Sequence, residues 1–431
     1  MLKTYICVQN AEKTEELNMK KVLKLNARSV VEVKDGGECQ CVKLNFQVYK
    51  DGKPNFGSHV IIYRREETGY VFDYDEWEYF DCLLPREDEI VFDGELEIDN
   101  TFCEYTDYDV EVGKTYVYWV GRERFGEYLT GPAPVTVRDR RVWWHFDEIL
   151  EKTYALQKDF PNDVTLEQVG NTVYGKPLVA AYVGNRKNLI ACVGAVHAGE
   201  SGPEILLPLV RELLTEHHEL LERCGMAILP VVNADMREKM VDGAPWYIRT
   251  NAVGVDLNRN FDADWELIDY SYNLSSADYR SPTYRGPYPN SEPEVRALIK
   301  LMESAAPRAL FSFHFLCSIT ADGLIVSKSA KDDVPYLADA DEVKQIYSDS
   351  FRDAIGAQRR ENYKAGIVCS AGSLPTYMYR KHGIPAFDLE ISGDLDMLMD
   401  CKRDQTTPEM VDIARRGHKD GLIKMLERYS V

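Results

Sequence analysis

Residues 189–214 read LIACVGAVHAGESGPEILLPLVRELL, and their order decides the fold. LIACVGAV (189–196) is an apolar run of strand length. A short turn, HAGESG, follows it. Helix punctuation comes next: Ser201 is a candidate N-cap, Pro203 sits in the first turn, and Glu204 completes the pattern of a capping box. Ile205, Leu206, Leu209, Val210 and Leu213 then form one apolar face. A buried strand running through a tight turn into a helix is the building unit of an α/β sheet.

The same alternation extends outward. MAILPVVNAD (226–235), RALFSFH (308–314) and IPAFDLE (384–390) read as buried strands. HFDEILEKTYALQKDF (145–160), EPEVRALIKLMESA (292–305) and PEMVDIARRGHKDGLIKMLERY (408–429) read as helices. In the first of these, Phe146, Ile149, Leu150, Tyr154 and Leu156 supply the apolar side. Residues 141–431 are therefore expected to form an α/β domain, its sheet flanked by helices.

Residues 1–140 read differently. Val42, Leu44, Phe46 and Val48 alternate with polar residues, as in a half-buried strand, and the turn signal Asp51-Gly52 follows. HVIIYRRE (59–66), VEVGKTYVYWV (110–120) and TGPAPVTVRD (130–139) are further strand candidates. The acidic, aromatic stretch 69–81 has no assignable pattern. Short strands between turn signals predict an all-β sandwich. The last two runs resemble the closing strands of a fibronectin type III-like domain.

Composition bounds the rest. The chain has 431 residues, enough for two domains, with 45% hydrophobic and 28% charged residues. Its net charge of -20 repels phosphates, so neither nucleic acid nor an anionic membrane is expected as a partner. No apolar run reaches the ~18 residues that span a bilayer. The first residues show no signal-peptide pattern. The ten Cys are scattered without a CxxC pair, so reduced thiols and a cytoplasmic location are expected.

Candidate chemistry gathers at strand ends. His-x-x-Glu occurs at His145–Glu148 and at His197–Glu200, and with eight His the spacing alone is weak. Context separates the two. His145 opens a helix at a domain boundary, whereas His197 follows an apolar strand, where sites form in open α/β sheets. His314 ends RALFSF and Glu390 ends IPAFDL in the same way. Three such residues on one sheet converge on one rim. His197, Glu200 and His314 would give Zn²⁺ a His₂Glu set with one position open, and Glu390 would remain as general base. WYIRTNAVGVDLNRNFDADW (246–265) adds Arg249, Asp256, Asn258 and Arg259, where Arg can clasp a carboxylate and Asp can fix the tautomer of a ligating His.

HAGE, IRTN, GVDLNRNFD, YRGPYPNSEPE (284–294), SFH and FDLE, in this order, resemble the zinc carboxypeptidase family. The resemblance covers residues 145–431, and GVDLNRNF is its most specific element. The His₂Glu set is the one known from carboxypeptidase A, so it is not independent of the resemblance. The resemblance implies a mixed, mostly parallel sheet and one Zn²⁺ held by His197, Glu200 and His314. It implies that Glu390 takes a proton from the attacking water and passes it to the leaving amine. Arg249 would polarise the scissile carbonyl, and Asn258 and Arg259 would grip the substrate's terminal carboxylate. Asp256 would back the first His. Leu374 falls where side-chain preference is set, and its aliphatic side chain offers no charge to a basic substrate residue.

One departure stands out. Counting back from Gly372-Ser373, the family's mobile Tyr falls at Ile367 or Val368, and the nearest tyrosine is Tyr363. The expected function is a zinc-dependent exopeptidase acting on a peptide or muropeptide with a free carboxylate. The alternatives are a γ-D-glutamyl-diaminopimelate cell-wall hydrolase, a small-molecule deacylase, and a binding protein on a decayed peptidase fold. The sequence carries no reading of oligomeric state.

Overall fold

The computed structural model describes residues 21–50, 53–54, 58–69, 77–81, 83–96, 98–99, 102–122, 124, 129–267, 276–314, 323–356, 366–369, 371–390 and 406–430. They fall into two compact units, one ending at Arg138 and one beginning at Asp139.

The first unit is antiparallel β. Its strands are β1 (Lys21–Lys34), β2 (Gly37–Lys50), β3 (Lys53–Pro54), β4 (Ser58–Glu66), β5 (Ile90–Leu96), β6 (Ile98–Asp99), β7 (Phe102–Asp107), β8 (Thr115–Gly121) and β9 (Thr130–Thr136), with a short helix α1 (Trp77–Asp81). One sheet runs β1-β2-β7-β6, with β3 also on β2, and the other runs β5-β4-β8-β9. Asp35 and Gly36, both at positive φ, make the two-residue turn between β1 and β2. Val42, Leu44 and Phe46 of β2 join Val60, Ile62, Tyr118 and Val120 of the other sheet in one buried cluster. The alternation read from the sequence thus points its apolar set inward. β8 is shorter than the run 110–120 suggests. Gly113 has φ +84 and Lys114 N–H bonds Glu111 O, so a turn occupies 111–114 and the strand starts at Thr115. The side chain of Val48 and the turn Asp51-Gly52 lie outside the described residues, as does most of 69–81.

The second unit holds an eight-stranded sheet. Its elements are α2 (Phe146–Asp159), β10 (Val164–Asn171), β11 (Pro177–Val183), β12 (Leu189–Gly194), α3 (Pro203–Glu216), α4 (His218–Arg223), β13 (Gly225–Leu229), α5 (Ala234–Val241), α6 (Pro293–Ala305), β14 (Leu310–Phe313), β15 (Gly323–Ser327), α7 (Val334–Ile355), β16 (Gly366–Cys369), α8 (Leu374–His382), β17 (Ala386–Glu390) and α9 (Pro408–Tyr429). The order across the sheet is β10-β11-β13-β12-β14-β17-β15-β16. The centre is parallel: β13 with β12, β12 with β14, and β14 with β17. β11 joins β13 antiparallel, and β15 joins β17 antiparallel. The sheet is mixed and mostly parallel at its core, as expected.

Strands β12, β13 and β14 are buried along their whole length, which explains their almost wholly apolar runs. They build one large core with the apolar faces of α3, α6 and α9. Two local expectations differ from the structure. Tyr154 of α2 is half exposed, while Phe146, Ile149 and Leu156 carry the buried side. The N-cap of α3 is Gly202, not Ser201, and it makes no side-chain cap. Glu204 is drawn away from capping because it accepts from Trp144 N and pairs with the buried Arg237.

Candidate active site

The site begins where β12 ends. Ala195 takes a left-handed φ of 46, and the chain then turns through His197–Gly202 into α3. Three contacts fix this turn. Gly199 N–H bonds Ile248 O, Asn233 N–H bonds Ala195 O, and Arg237 donates Nη1 to both Ala198 O (3.2 Å) and Glu200 O (2.7 Å). Gly199 is required by a close approach: a Cβ there would lie 2.3 Å from the Tyr247 ring. A Cβ at Gly202 would lie 2.5 Å from Ala195 N.

The expected ligands meet. β12, β14 and β17 are neighbours in the sheet, so the residues at their ends share one rim. His197, Glu200 and His314 are buried, with one donor atom from each lying within 4.8 Å of the others. His197 Nδ1 is 2.9 Å from Glu200 Oε1, and His314 Nδ1 is 3.1 Å from Glu200 Oε2. Both imidazoles thus turn Nδ1 toward the carboxylate and Nε2 away from it. His197 Nε2 meets Asp256 Oδ1 at 3.1 Å, and His314 Nε2 meets Ser312 Oγ at 3.0 Å and Asp388 Oδ1 at 3.2 Å. Such outer partners fix ring orientation and tautomer and make the facing nitrogen a better ligand.

The electrostatics favour a cation. Burial alone would raise the Glu200 carboxyl, but His314 and His197 beside it hold it well below the usual carboxylate range. Burial opposes a charge on His314, yet Glu200 and Asp388 push its pKa well up. Two imidazole nitrogens and a carboxylate, buried and converging, fit Zn²⁺.

Glu390 ends β17 partly buried, and its Oε2 is enclosed with no hydrogen-bond partner among the described residues. Burial pushes its pKa up to about 8. Glu200 and Asp388 act in the same direction, against His314 and Arg249. A carboxyl titrating near neutrality suits a general base.

The Arg-Asn cluster is organised around Asp256, which is fully buried. It accepts from Arg249 Nε at 2.7 Å and from Asn258 N at 3.0 Å, and Arg259 Nε stands 3.9 Å away. Burial would raise Asp256, but Arg249, Arg259 and His197 hold it well below the usual range. One carboxylate therefore orients a candidate metal ligand and two guanidinium groups. Asn258 is held on both sides of its amide: Nδ2 donates to Asp388 Oδ2 (2.9 Å), and Oδ1 accepts from Leu374 N (2.8 Å). Leu374 is fully buried at the start of α8, whose N-cap is Ser373. Gly372 has φ +73, and a Cβ on it would lie 2.2 Å from Arg259 O, so this loop sits directly on the arginine.

Residues 149–412 match the family model described as zinc carboxypeptidase. The chain belongs to the zinc carboxypeptidase family. Among curated relatives, it is 29% identical over 216 residues to the human carboxypeptidase N catalytic chain, covering 44% of this chain and 43% of that one. It is 31% identical over 157 residues to murein peptide amidase A of Escherichia coli K12, covering 34% of this chain and 58% of that one. The chain thus spans less than half the length of the first of these relatives. Bovine thrombin-activatable fibrinolysis inhibitor, solved in complex with tick carboxypeptidase inhibitor, shares the fold. Its TM-score is 0.54 at 20% identity, covering 67% of this chain and 98% of that one.

Four residues around the site escaped the sequence reading: Tyr247, Ser312, Asp388 and Arg237. Tyr247 donates to Glu200 Oε1 at 2.7 Å and stands two residues before Arg249. Ser312 and Asp388 were open to a period-two argument, since each lies two positions before His314 or Glu390 on its strand. Arg237 carried no signal, because only the folded turn brings it to Glu200. Tyr363 lies outside the described residues. Tyr377 packs on Phe261, and Tyr379 donates to Asp333. His145 bonds Glu238, and His218 bonds Asp163, both away from the site.

Proposed function

We propose that this chain is a zinc-dependent exopeptidase that hydrolyses a C-terminal amide bond. One observation carries the reading: His197, Glu200 and His314 converge, buried, while the enclosed Glu390 Oε2 has no hydrogen-bond partner among the described residues. Zinc held by these three residues supplies Lewis acidity and makes a water acidic near neutral pH. Glu390 takes the proton of the attacking water and delivers it to the leaving amine. Arg249, anchored through Nε to Asp256, stabilises the developing oxyanion with its guanidinium charge. Asn258 and Arg259 bind the terminal carboxylate, which restricts cleavage to the chain end. Leu374 holds Asn258 in place through its backbone N–H, and its aliphatic side chain offers no charge to a basic substrate residue.

A second substrate class has its own support. The similarity to murein peptide amidase A favours a muropeptide cut at a γ-D-glutamyl-diaminopimelate bond. A mass-spectrometric panel separates the two: peptides with free C-termini, the same peptides amidated, and a γ-D-Glu-diaminopimelate muropeptide. The proposal expects loss of one C-terminal residue from a free-carboxylate member and none from its amide. Cleavage of amidated peptides would refute the carboxylate clasp, and no cleavage of any member would refute the exopeptidase. We also propose that residues 1–140 and 141–431 are separate domains, supported by the separate core cluster of the first. A cytoplasmic location is proposed on the unpaired Cys39, Cys41, Cys103, Cys192 and Cys224.

A further inference from the structure

Asp388 occupies a junction. Its Oδ1 lies 3.2 Å from His314 Nε2, and its Oδ2 accepts from Asn258 Nδ2 at 2.9 Å. His314 belongs to the metal set and Asn258 to the carboxylate clasp. Asp388 is buried on β17, in parallel register with Ser312 of β14, so the sheet itself fixes its height against the imidazole. Asn258 is pinned from the other side by Leu374 N. A shift of Asp388 must therefore move His314, Asn258 or both.

We propose that Asp388 is a positioning residue that links zinc affinity at His314 to the orientation of the carboxylate-binding Asn258. The inference rests on the zinc exopeptidase reading. An ionised carboxylate has two acceptor oxygens and no donor, so one oxygen pairs with the imidazole while the other accepts from the amide. An Asn in its place has one acceptor oxygen and must fail one of them. Losing such a partner of a ligating His weakens metal binding about 10–100-fold. Because the same group holds Asn258, the link is reciprocal.

The test is zinc affinity by chelator competition on wild type, Asp388→Asn, Asn258→Ala, Ser312→Ala and the double variant Asn258→Ala/Asp388→Asn. Circular dichroism of the metal-free proteins checks folding. Asp388→Asn is expected to bind zinc about tenfold or more weakly. Asn258→Ala, which removes no ligand, is expected to weaken zinc measurably, and to add nothing in the Asp388→Asn background. A merely structural role would lower the melting temperature without this pattern in zinc affinity. Zinc affinity of Asp388→Asn within twofold of wild type would overturn the proposal. So would a loss carried by Ser312→Ala instead. If Asp388→Asn does not fold, Asn258→Ala decides: weakened zinc binding supports the link, and unchanged binding refutes it. A wild type that binds no zinc would refute the metal reading itself, a result distinct from either.

Discussion

Gly199→Ala tests the packing of the metal-bearing turn. The new Cβ would stand 2.3 Å from Tyr247 Cδ2 and 2.6 Å from Cε2. Ordinary contact begins at 3.4 Å, so the ring has to retreat by about 1.1 Å. It has no room to do so, because Tyr247 is buried and its hydroxyl holds Glu200 Oε1 at 2.7 Å. Overpacking of this kind costs about 1–3 kcal/mol. Pulling the hydroxyl from a charged acceptor costs about 1.5–3 kcal/mol more. The two costs share one ring and will not add fully, so a loss of about 2–5 kcal/mol is expected. Urea unfolding of wild type, Gly199→Ala, Tyr247→Leu and the double variant measures it. In the Tyr247→Leu background, where the phenol is gone, Gly199→Ala should cost under about 1 kcal/mol. Chelator competition on the same proteins should show Gly199→Ala about 10–100-fold weaker for zinc. A Gly199→Ala protein as stable as wild type, binding zinc equally well, would refute the reasoning. An equal cost with and without Tyr247 would do the same.

Glu390→Gln should retain zinc and lose turnover by about 10²–10⁴-fold, checked by metal analysis beside kcat. In the wild type, kcat/KM falls on the acid side as Glu390 gains its proton. Burial puts that carboxyl at about 8, and a bound cation draws it lower, so the acid limb should lie below pH 8 and be missing from any residual activity of the Gln variant. Arg259→Ala should raise KM for free-carboxylate substrates more than it lowers kcat, and should narrow the preference over amidated peptides, both read from steady-state kinetics. Glu238 caps α2 by accepting from Phe146 N and pairs with His145; these partners hold its pKa down at about 2 against burial. A depressed carboxyl stabilises above its unfolded value near 4.5 and loses that contribution as pH falls toward 2. Glu238→Gln should therefore lower the melting temperature at pH 7, with the difference shrinking below pH 4.5.

Much of the site was legible because it sits on buried parallel strands. LIACVG, LFSF and AFDLE are short, mostly apolar runs, and the polar residue at or shortly after the end of each stands out. Their convergence then follows from sheet order. Other elements lacked that clarity. The β10–β11 hairpin has a register shift between Gln168 and Gly170, which breaks the alternation a strand reading needs. Helix α7 mixes its apolar positions with Asp-rich turns, so only the N-cap Asp333 and the first-turn Pro335 announce it. Ser201 reads as a cap by local pattern, but the buried Arg237 claims Glu204, and tertiary pairing overrides the local preference. Tyr247 was hidden for a related reason: it acts through Glu200, at a distance in sequence no short motif spans.

The most direct measurement is zinc stoichiometry and C-terminal residue release on the same preparation, before chelation, after it, and after zinc is restored. The account predicts near one zinc per chain, release that disappears with the metal and returns with it, and a His314→Ala chain that holds no zinc and releases nothing. Release that persists in the metal-free chain, or a His314→Ala variant with full zinc and full activity, would contradict it.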